Sequence, residues 1–66
     1  MPRVRLKVRQ REVLKLIVRG RTTKEIAARL RIKPTTVAYH RRNIMRALRV
    51  RRKSELVIRA HQLGYV

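Results

Sequence analysis

Apolar residues recur at helical spacing in four separate stretches of the chain, with polar and basic residues between them. The stretches predict helices over residues 8–19, 22 or 23 to 30, 34–48 and 53–63. Gly20 and Gly64 follow the first and last stretches, where a glycine commonly ends a helix. The pattern therefore predicts an all-α fold, a compact four-helix domain that fills residues 1–66 as a single unit.

The second and third stretches are joined by a turn of only three residues, 31–33, and each carries a helix-start signal. Thr22 and Glu25 fit a capping box, in which a hydroxyl and a carboxylate satisfy backbone N–H groups that the first turn leaves free. Pro34 opens the third stretch, where its fixed φ and missing N–H are harmless. Two short helices joined in this way predict a helix-turn-helix, whose second helix enters a DNA major groove.

Helical geometry separates the two sides of the third helix. When Val37 is placed at the centre of the buried side, an advance of 100° per residue puts Ile44 and Leu48 within about 20° of it. The opposite side then carries Thr35, Ala38, Tyr39, Arg42 and Arg46. This side is free to face DNA.

Side-chain chemistry distinguishes base readers from backbone contacts on that side. Arg42 suits bidentate donation to guanine O6 and N7, whereas the Ala38 methyl and the Tyr39 ring suit contact with a thymine methyl. Recognition helices usually read bases with their N-terminal half. We therefore predict base reading by Ala38, Tyr39 and Arg42 and a backbone contact by Arg46.

The charge of the chain favours a polyanionic partner. Lys and Arg number 20 against 3 acids, which gives a formal net charge of +17 on 66 residues. The acids Glu12, Glu25 and Glu55 each lie near the start of a predicted helix, where the helix dipole favours a carboxylate. None falls on the proposed DNA-facing side, so double-stranded DNA is the expected partner.

Helix starts are the expected phosphate anchors, because their free N–H groups attract anions. The predicted backbone contacts are Thr22, Thr23, Lys24, Lys33, Thr35, Thr36 and Arg46. We also expect residues 1–5, which are basic and lack periodicity, to form a flexible arm.

Several other functions are disfavoured by composition. The chain has no Cys, which excludes disulfides and thiolate metal sites. We expect no cofactor and no enzymatic activity, because paired carboxylates, a Gly-rich phosphate loop and a nucleophile with a base are all missing. His40 is expected to be a packed or hydrogen-bonded structural residue. No apolar run is long enough for a membrane span, so we expect a cytoplasmic, nucleoid-associated protein.

Several separated motifs together resemble one known family. The sequence KEIAARL, then TVAYHRRNIMRALRV and then SELVIRA, in this order and spacing, resembles the DNA-binding domain of the LuxR family, also called the NarL or GerE type, of bacterial transcription regulators. The likeness extends over residues 6–63. It implies four helices, the third in the major groove, with base-facing positions at Ala38, Tyr39 and Arg42, in agreement with the angular argument.

The resemblance also implies a two-fold dimer formed largely through the fourth helix. Val57, Ile58 and Tyr65 are more apolar than the surface of a monomer requires, and with His61 they form the predicted dimer interface. Such a pair would bind half-sites about 34 Å apart, one helical turn of DNA.

The chain departs from the family pattern mainly at helix starts. Lys7, Lys33 and Arg52 stand where the family usually has Thr or Ser, so three cations replace capping hydroxyls. Our hypothesis is that they bind phosphates and make the free fold weaker. Arg31 is expected in a left-handed conformation that Gly adopts more easily, and Ala38 replaces the Lys or Arg that family members commonly have.

Two other classes of function stay open. One is a domain like the promoter-reading last domain of a sigma factor, which shares the helix-turn-helix and also contacts RNA polymerase. The other is a nonspecific basic peptide that binds any polyanion, or a membrane surface. The capping box and the four separate amphipathic patterns argue against this second class.

Overall fold

The computed structural model describes residues 5–66 and contains four helices in that range. They are α1 (Val8–Val18), α2 (Thr23–Leu30), α3 (Pro34–Ala47) and α4 (Lys53–Gln62). The all-α prediction is confirmed, with α1, α3 and α4 each ending one residue before the predicted boundary. The proposed basic arm lies outside the described residues except for Arg5. No helix between residues 5 and 66 combines the length and the apolar character needed to cross a bilayer.

An aliphatic core holds the helices together. Helix α1 packs against each of the other three helices, and α3 packs against both α1 and α2. The buried side chains are Leu6, Val13, Leu14, Leu16, Ile17, Ile26, Ala27, Val37, Ile44, Leu48, Leu56 and Ala60. No buried residue in the described part is polar or charged. Burial of Val, Leu and Ile side chains at roughly 1.5–3 kcal/mol each is therefore the main stabilising contribution.

All four helices end in the same way. Near each helix end, one residue donates its N–H to the carbonyl five residues earlier, as Arg21 does to Leu16 at 3.1 Å and Ile32 to Ala27 at 3.0 Å. This pattern requires a left-handed residue just before the donor. Gly20 and Gly64 fill that position after α1 and α4, with φ of 83° and 77°.

Arginine takes the left-handed position after the other two helices. Arg31 follows α2 with φ 57°, as predicted, and Arg49 follows α3 with φ 55°. A residue with a Cβ is strained in this region, where glycine is not. Helices α2 and α3 therefore end at a conformational cost.

The helix starts differ from one another in how they are capped. At α2 the predicted capping box is formed: Glu25 N–H donates to Thr22 Oγ1 at 3.1 Å, and Thr22 N–H donates to Glu25 Oε1 at 2.9 Å. Lys7, Lys33 and Arg52 occupy the N-cap positions of the other helices, and none of them makes a side-chain cap hydrogen bond. The prediction that cations occupy three of the four N-cap positions is confirmed.

The position of one acid differs from the expectation. Glu25 and Glu55 lie in the first turns of α2 and α4, but α1 has no acid in its first turn. Helix α1 begins at Val8 as predicted, so Glu12 is its fifth residue and lies in the second turn. There it forms an exposed ion pair with Arg9, at 3.6 Å. The expectation that it meets the helix dipole is wrong.

The C-terminal residues fold back onto the N-terminal segment. Leu6 N–H donates to the Tyr65 hydroxyl at 3.3 Å, and the half-buried Tyr65 ring packs against the core. The argument that Tyr65 is more apolar than the surface of a monomer requires is therefore wrong, since much of its apolar surface is covered within the domain. Leu6 itself is buried, so this contact ties together the two ends of the described chain.

Candidate nucleic-acid interface

Helix α3 is anchored by one side and presents the other to solvent. Val37, Ile44 and Leu48 are at most 1% exposed, as the angular argument requires. Tyr39 on the opposite side is 61% exposed. Thr35, Arg42 and Arg46 are exposed beside it, and Ala38 is half-buried at the edge. We call Thr35, Ala38, Tyr39, Arg42 and Arg46 the α3 outer face.

The three predicted base readers are neighbours on this face. Ala38 and Tyr39 are adjacent in sequence, and Arg42 lies one turn after Ala38. The Tyr39 ring meets the His40 ring edge to face, with centroids 5.9 Å apart and an interplanar angle of 62°. This contact restricts the Tyr39 ring while leaving most of its surface free for a partner. His40 itself is half-buried.

The N-terminus of α2 has polar groups available for an anion. The Thr22 hydroxyl accepts from Glu25 N–H and also contacts the Glu25 carboxylate, so this side chain is committed to the cap. In the described structure, the N–H groups of Thr23 and Lys24 have no acceptor, because the first bonded donors of this turn are those of Glu25 and Ile26. Of the three residues predicted to contact a phosphate here, Thr23 and Lys24 thus have unoccupied backbone donors, whereas the polar groups of Thr22 are used within the cap.

The N-terminus of α3 offers fewer backbone donors than the sequence argument assumed. Thr36 N–H already donates to the Lys33 carbonyl at 2.9 Å, and Pro34 has no N–H. Thr35 N–H is the backbone donor left at this helix start. The exposed Lys33 side chain and the hydroxyls of Thr35 and Thr36 would have to supply the remaining contacts, and residue Thr36 is half-buried.

Electrostatics around the α3 outer face are almost purely positive. Helix α3 contains no acid. The carboxylate nearest in sequence on the N-terminal side is Glu25, and its pKa is lowered below 4.5 chiefly by the hydrogen bond that it accepts from the backbone N–H of Thr22. Desolvation opposes this shift, while the Thr22 hydroxyl contact and the Arg21 charge add to it. Glu25 is therefore ionised at neutral pH, and its charge is committed to the α2 cap.

The C-terminal end of α3 is fixed by α4. Arg59 Nε donates to the Leu48 carbonyl oxygen at 3.3 Å, so a cation meets the negative end of the α3 dipole. Nothing in the sequence pattern pointed to this contact, because it joins two helices whose crossing only the folded chain defines. It sets the position of the helix that carries the outer face.

The predicted dimer residues, three on α4 and Tyr65 after its end, are only partly on a common free surface. Ile58 is 60% exposed and His61 is exposed, while Val57 and Tyr65 are half-buried. The Val57 carbonyl can only accept, so His61 Nδ1 carries the proton that it donates there at 2.9 Å. Beside Ile58, a groove of about 260 Å³ runs between α4 and the end of α3. It is lined by Arg49, Val50, Glu55, Ile58, Arg59 and Gln62.

Comparison with known proteins places this geometry in a family. The family model described as "Bacterial regulatory proteins, luxR family" matches residues 5–60, which include all of α1, α2 and α3 and most of α4. The chain belongs to the luxR family. It is a DNA-binding helix-turn-helix domain of a family of transcription regulators, and this family is not one of enzymes.

Individual relatives agree with the family assignment. The spore germination protein GerE of Bacillus subtilis is 43% identical over 56 residues, which are 85% of this chain and 76% of GerE. An uncharacterised response regulatory protein of Escherichia coli, YgeK, is 45% identical over 56 residues, and the transcriptional regulatory protein DesR of B. subtilis is 39% identical over 57. The luxR chain spans 38% of YgeK and 29% of DesR.

Proposed function

We propose that α3 of this luxR domain inserts into the DNA major groove and reads bases with Ala38, Tyr39 and Arg42. The observation that carries the proposal is the α3 outer face, exposed on a helix whose other side is buried in the core. An α-helix fits the major groove of B-DNA, where each base pair presents a distinct pattern of donors and acceptors. Because the family binds DNA, this exposed face is the natural reading surface.

The three readers have different chemistry. Arg42 has five N–H donors in a planar fork and suits guanine O6 and N7, where a bidentate pair is worth about 1–3 kcal/mol of discrimination. The small Ala38 side chain lets the α3 backbone approach the bases closely and offers only a methyl contact. Tyr39 can place its ring against a thymine methyl or its hydroxyl on a phosphate.

Backbone contacts flank the readers on both sides. The free donors at the start of α2 and the Thr35 N–H at the start of α3 are both close in sequence to the α3 outer face. Phosphate contacts of this kind fix the register of a protein on DNA without reading sequence. The proposed set is Thr22, Thr23, Lys24, Lys33, Thr35, Thr36 and Arg46.

Pairing of two copies through α4 completes the proposal. Ile58 and His61 provide exposed surface, and Val57 provides a half-buried edge. Tyr65 would contribute only the part of its ring that the core leaves uncovered. Two chains of +17 repel each other in solution, so we propose that pairing occurs on DNA, whose phosphates offset the repulsion.

The proposed setting is the nucleoid, in the cytoplasm, where a bacterial transcription regulator meets its DNA. Contact with RNA polymerase is a second candidate function, favoured by the exposed Ile58 and the groove beside it, which DNA on the α3 outer face would leave uncovered. A polymerase pull-down that survives nuclease treatment and is lost in Ile58→Glu would support it. Loss of the pull-down on nuclease treatment would assign the association to shared DNA.

Selection of bound duplexes from a random pool at physiological salt tests the main proposal. We expect one motif, with two-fold symmetry and half-sites about 34 Å apart. Arg42→Ala should weaken binding by about 1–3 kcal/mol and relax the preference at one position. Arg29→Ala, which removes the same charge from an exposed position of α2 outside the proposed contacts, is the matched control and should leave the motif unchanged. Equal recovery of all sequences would contradict base reading, and single isolated half-sites would contradict pairing.

A further inference from the structure

A second row of cations lies along α1. Arg11, Lys15 and Arg19 are all exposed and follow one another at intervals of four residues. We call these three residues the α1 basic row. At 1.5 Å per residue the row is about 12 Å long, which corresponds to roughly three or four successive phosphates of one DNA strand.

No acid of the described structure neutralises the α1 basic row. Glu12 is the one carboxylate on α1, and it pairs with Arg9, which lies outside the row. The three cations make no ion pair or side-chain hydrogen bond between residues 5 and 66. Like charges four residues apart on a helix repel each other and destabilise it. The row thus has a cost that a bound polyanion would remove.

The α1 basic row and the α3 outer face point away from each other. Around α1, the row lies within about 40° of the direction opposite the midpoint of the buried Val13 and Ile17. Helices α1 and α3 pack directly on each other through their buried sides. Their outer sides consequently lie on different sides of the domain, each turned away from the shared core.

The thickness of the domain separates the two surfaces electrostatically. Its two shorter dimensions are 19 and 18 Å. The Debye length is about 8–10 Å at physiological salt, so charges on one surface are largely screened from a ligand on the other. A duplex on the α3 outer face therefore leaves the charge of the α1 basic row unsatisfied.

We propose that the α1 basic row binds the phosphate backbone of a second DNA duplex, so that one domain bridges two duplexes. The occupant is a duplex because the three cations of the row are exposed, regularly spaced and not engaged in an ion pair within residues 5–66, which suits a regular line of phosphates. Binding there needs no base contacts and is independent of sequence. The inference goes beyond base reading by α3 and does not depend on it.

A two-duplex capture assay tests the bridge. A duplex fixed to beads retains the protein, and a fluorescent duplex of unrelated sequence is then added at 0.15 M salt and recovered with the beads. Wild-type protein should capture the second duplex. The triple variant Arg11→Gln, Lys15→Gln, Arg19→Gln should bind the fixed duplex within about threefold of wild type and capture the second duplex at least fivefold less.

A charge-matched variant separates the row from net charge. Arg29→Gln, Arg51→Gln, Lys53→Gln removes three exposed cations elsewhere and should retain capture. Capture lost equally in both triple variants would overturn the proposal. Capture retained by the α1 variant would also overturn it, because pairs of domains would then bridge the duplexes through their α3 helices. Circular dichroism and melting should show the α1 variant folded and at least as stable as wild type.

Two further controls separate binding of a second duplex from a failure of base reading and from lipid binding. Capture is scored per protein retained on the beads, so a failure of base reading by α3 would appear in the first binding step and not in the second. Vesicles containing phosphatidylglycerol can replace the fluorescent duplex. Recovery of vesicles without recovery of the second duplex would assign the row to a lipid surface and overturn the proposal.

Discussion

At the scale of single residues, the luxR domain places cations where neutral residues would stabilise the helix ends better. Lys33 is an N-cap without a hydrogen-bond acceptor, and Arg31 and Arg49 adopt left-handed conformations. A lost N-cap costs roughly 1 kcal/mol. A left-handed residue with a Cβ costs about 1–2 kcal/mol. These costs fall on the turn before α3 and on the loop after it, which flank the proposed reading helix.

Replacement of the left-handed arginines by glycine should stabilise the free domain. For Arg31→Gly or Arg49→Gly we expect a gain of about 0.5–1 kcal/mol each, since relief of backbone strain exceeds the added entropy of the unfolded chain. Urea unfolding measures it. Gly20→Ala is the control and should destabilise the domain. The added Cβ would meet nothing within 4 Å, so the positive φ of 83° is the one source of strain. If Gly20→Ala is neutral, the strain argument fails.

Lys33→Ser should separate stability from DNA binding. Serine can accept from a backbone N–H of α3, which should raise the free energy of unfolding by about 1 kcal/mol. Loss of the ammonium should weaken DNA binding at the same time, if Lys33 contacts a phosphate. Thermal melting and a binding titration on one preparation measure the two effects. A variant that melts higher and also binds more tightly would refute the hypothesis that Lys33 is a phosphate ligand.

At the scale of helices, α2 is the one whose start is fully capped. Thr22 and Glu25 satisfy each other's backbone N–H groups, and the carboxylate also lies at the positive end of the helix dipole. The following turn then sets the angle at which α3 leaves. Stability at the start of α2 therefore contributes directly to the position of the proposed reading helix.

The α2 cap should make stability dependent on pH. The pKa of Glu25 is lowered in the folded state, chiefly by the hydrogen bond from the Thr22 backbone N–H. The contribution of Glu25 to the free energy of unfolding is therefore fully present above pH 4.5. It is lost as the pH falls from 4.5 through the lower pKa of the folded state. Glu25→Gln should be less stable than wild type at pH 7.

Urea unfolding between pH 3 and 7 measures this dependence. The difference between wild type and Glu25→Gln should shrink below pH 4.5, because protonation of the wild-type carboxyl removes the same charge that the variant lacks. Thr22→Ala removes the other half of the box and should cost roughly 1 kcal/mol. A constant difference between wild type and Glu25→Gln across the range would show that Glu25 charge does not support the cap.

At the scale of the whole molecule, charge opposes folding and favours DNA. A net charge of +17 on 66 residues repels itself in the compact state, and the described structure contains one ion pair, between Arg9 and Glu12. The aliphatic core has to overcome this repulsion without disulfides. Phosphates, by contrast, are attracted to nearly every surface, including the α3 outer face and the α1 basic row.

Salt should therefore act in opposite directions on folding and on binding. Added NaCl should raise the melting temperature of the free domain, because screening reduces the repulsion between cations. The logarithm of the DNA affinity should fall against the logarithm of salt concentration with a slope of about −5, if roughly six phosphates are neutralised. Melting curves and titrations from 50 to 300 mM salt measure both. A binding slope near zero would contradict the electrostatic account.

The sequence by itself determined the number and type of the elements. Helical periodicity, Gly20, the Thr22 capping box and Pro34 are local signals, and each fixed a helix start or end to within a residue. The buried side of α3 was also predictable, because Val37, Ile44 and Leu48 lie on one line of a helix whatever packs against it. The α3 outer face followed as the opposite side.

Only the tertiary structure decided contacts between residues far apart in the chain. The bond between Leu6 and Tyr65 spans 59 positions, and it shows that Tyr65 serves the core of its own domain. The contact of Arg59 with the Leu48 carbonyl, and the placement of the α1 basic row and the α3 outer face on different sides of the domain, depend on how the helices cross. Periodicity tells which side of a helix is buried but not which helix covers it, because many packing partners satisfy the same apolar pattern.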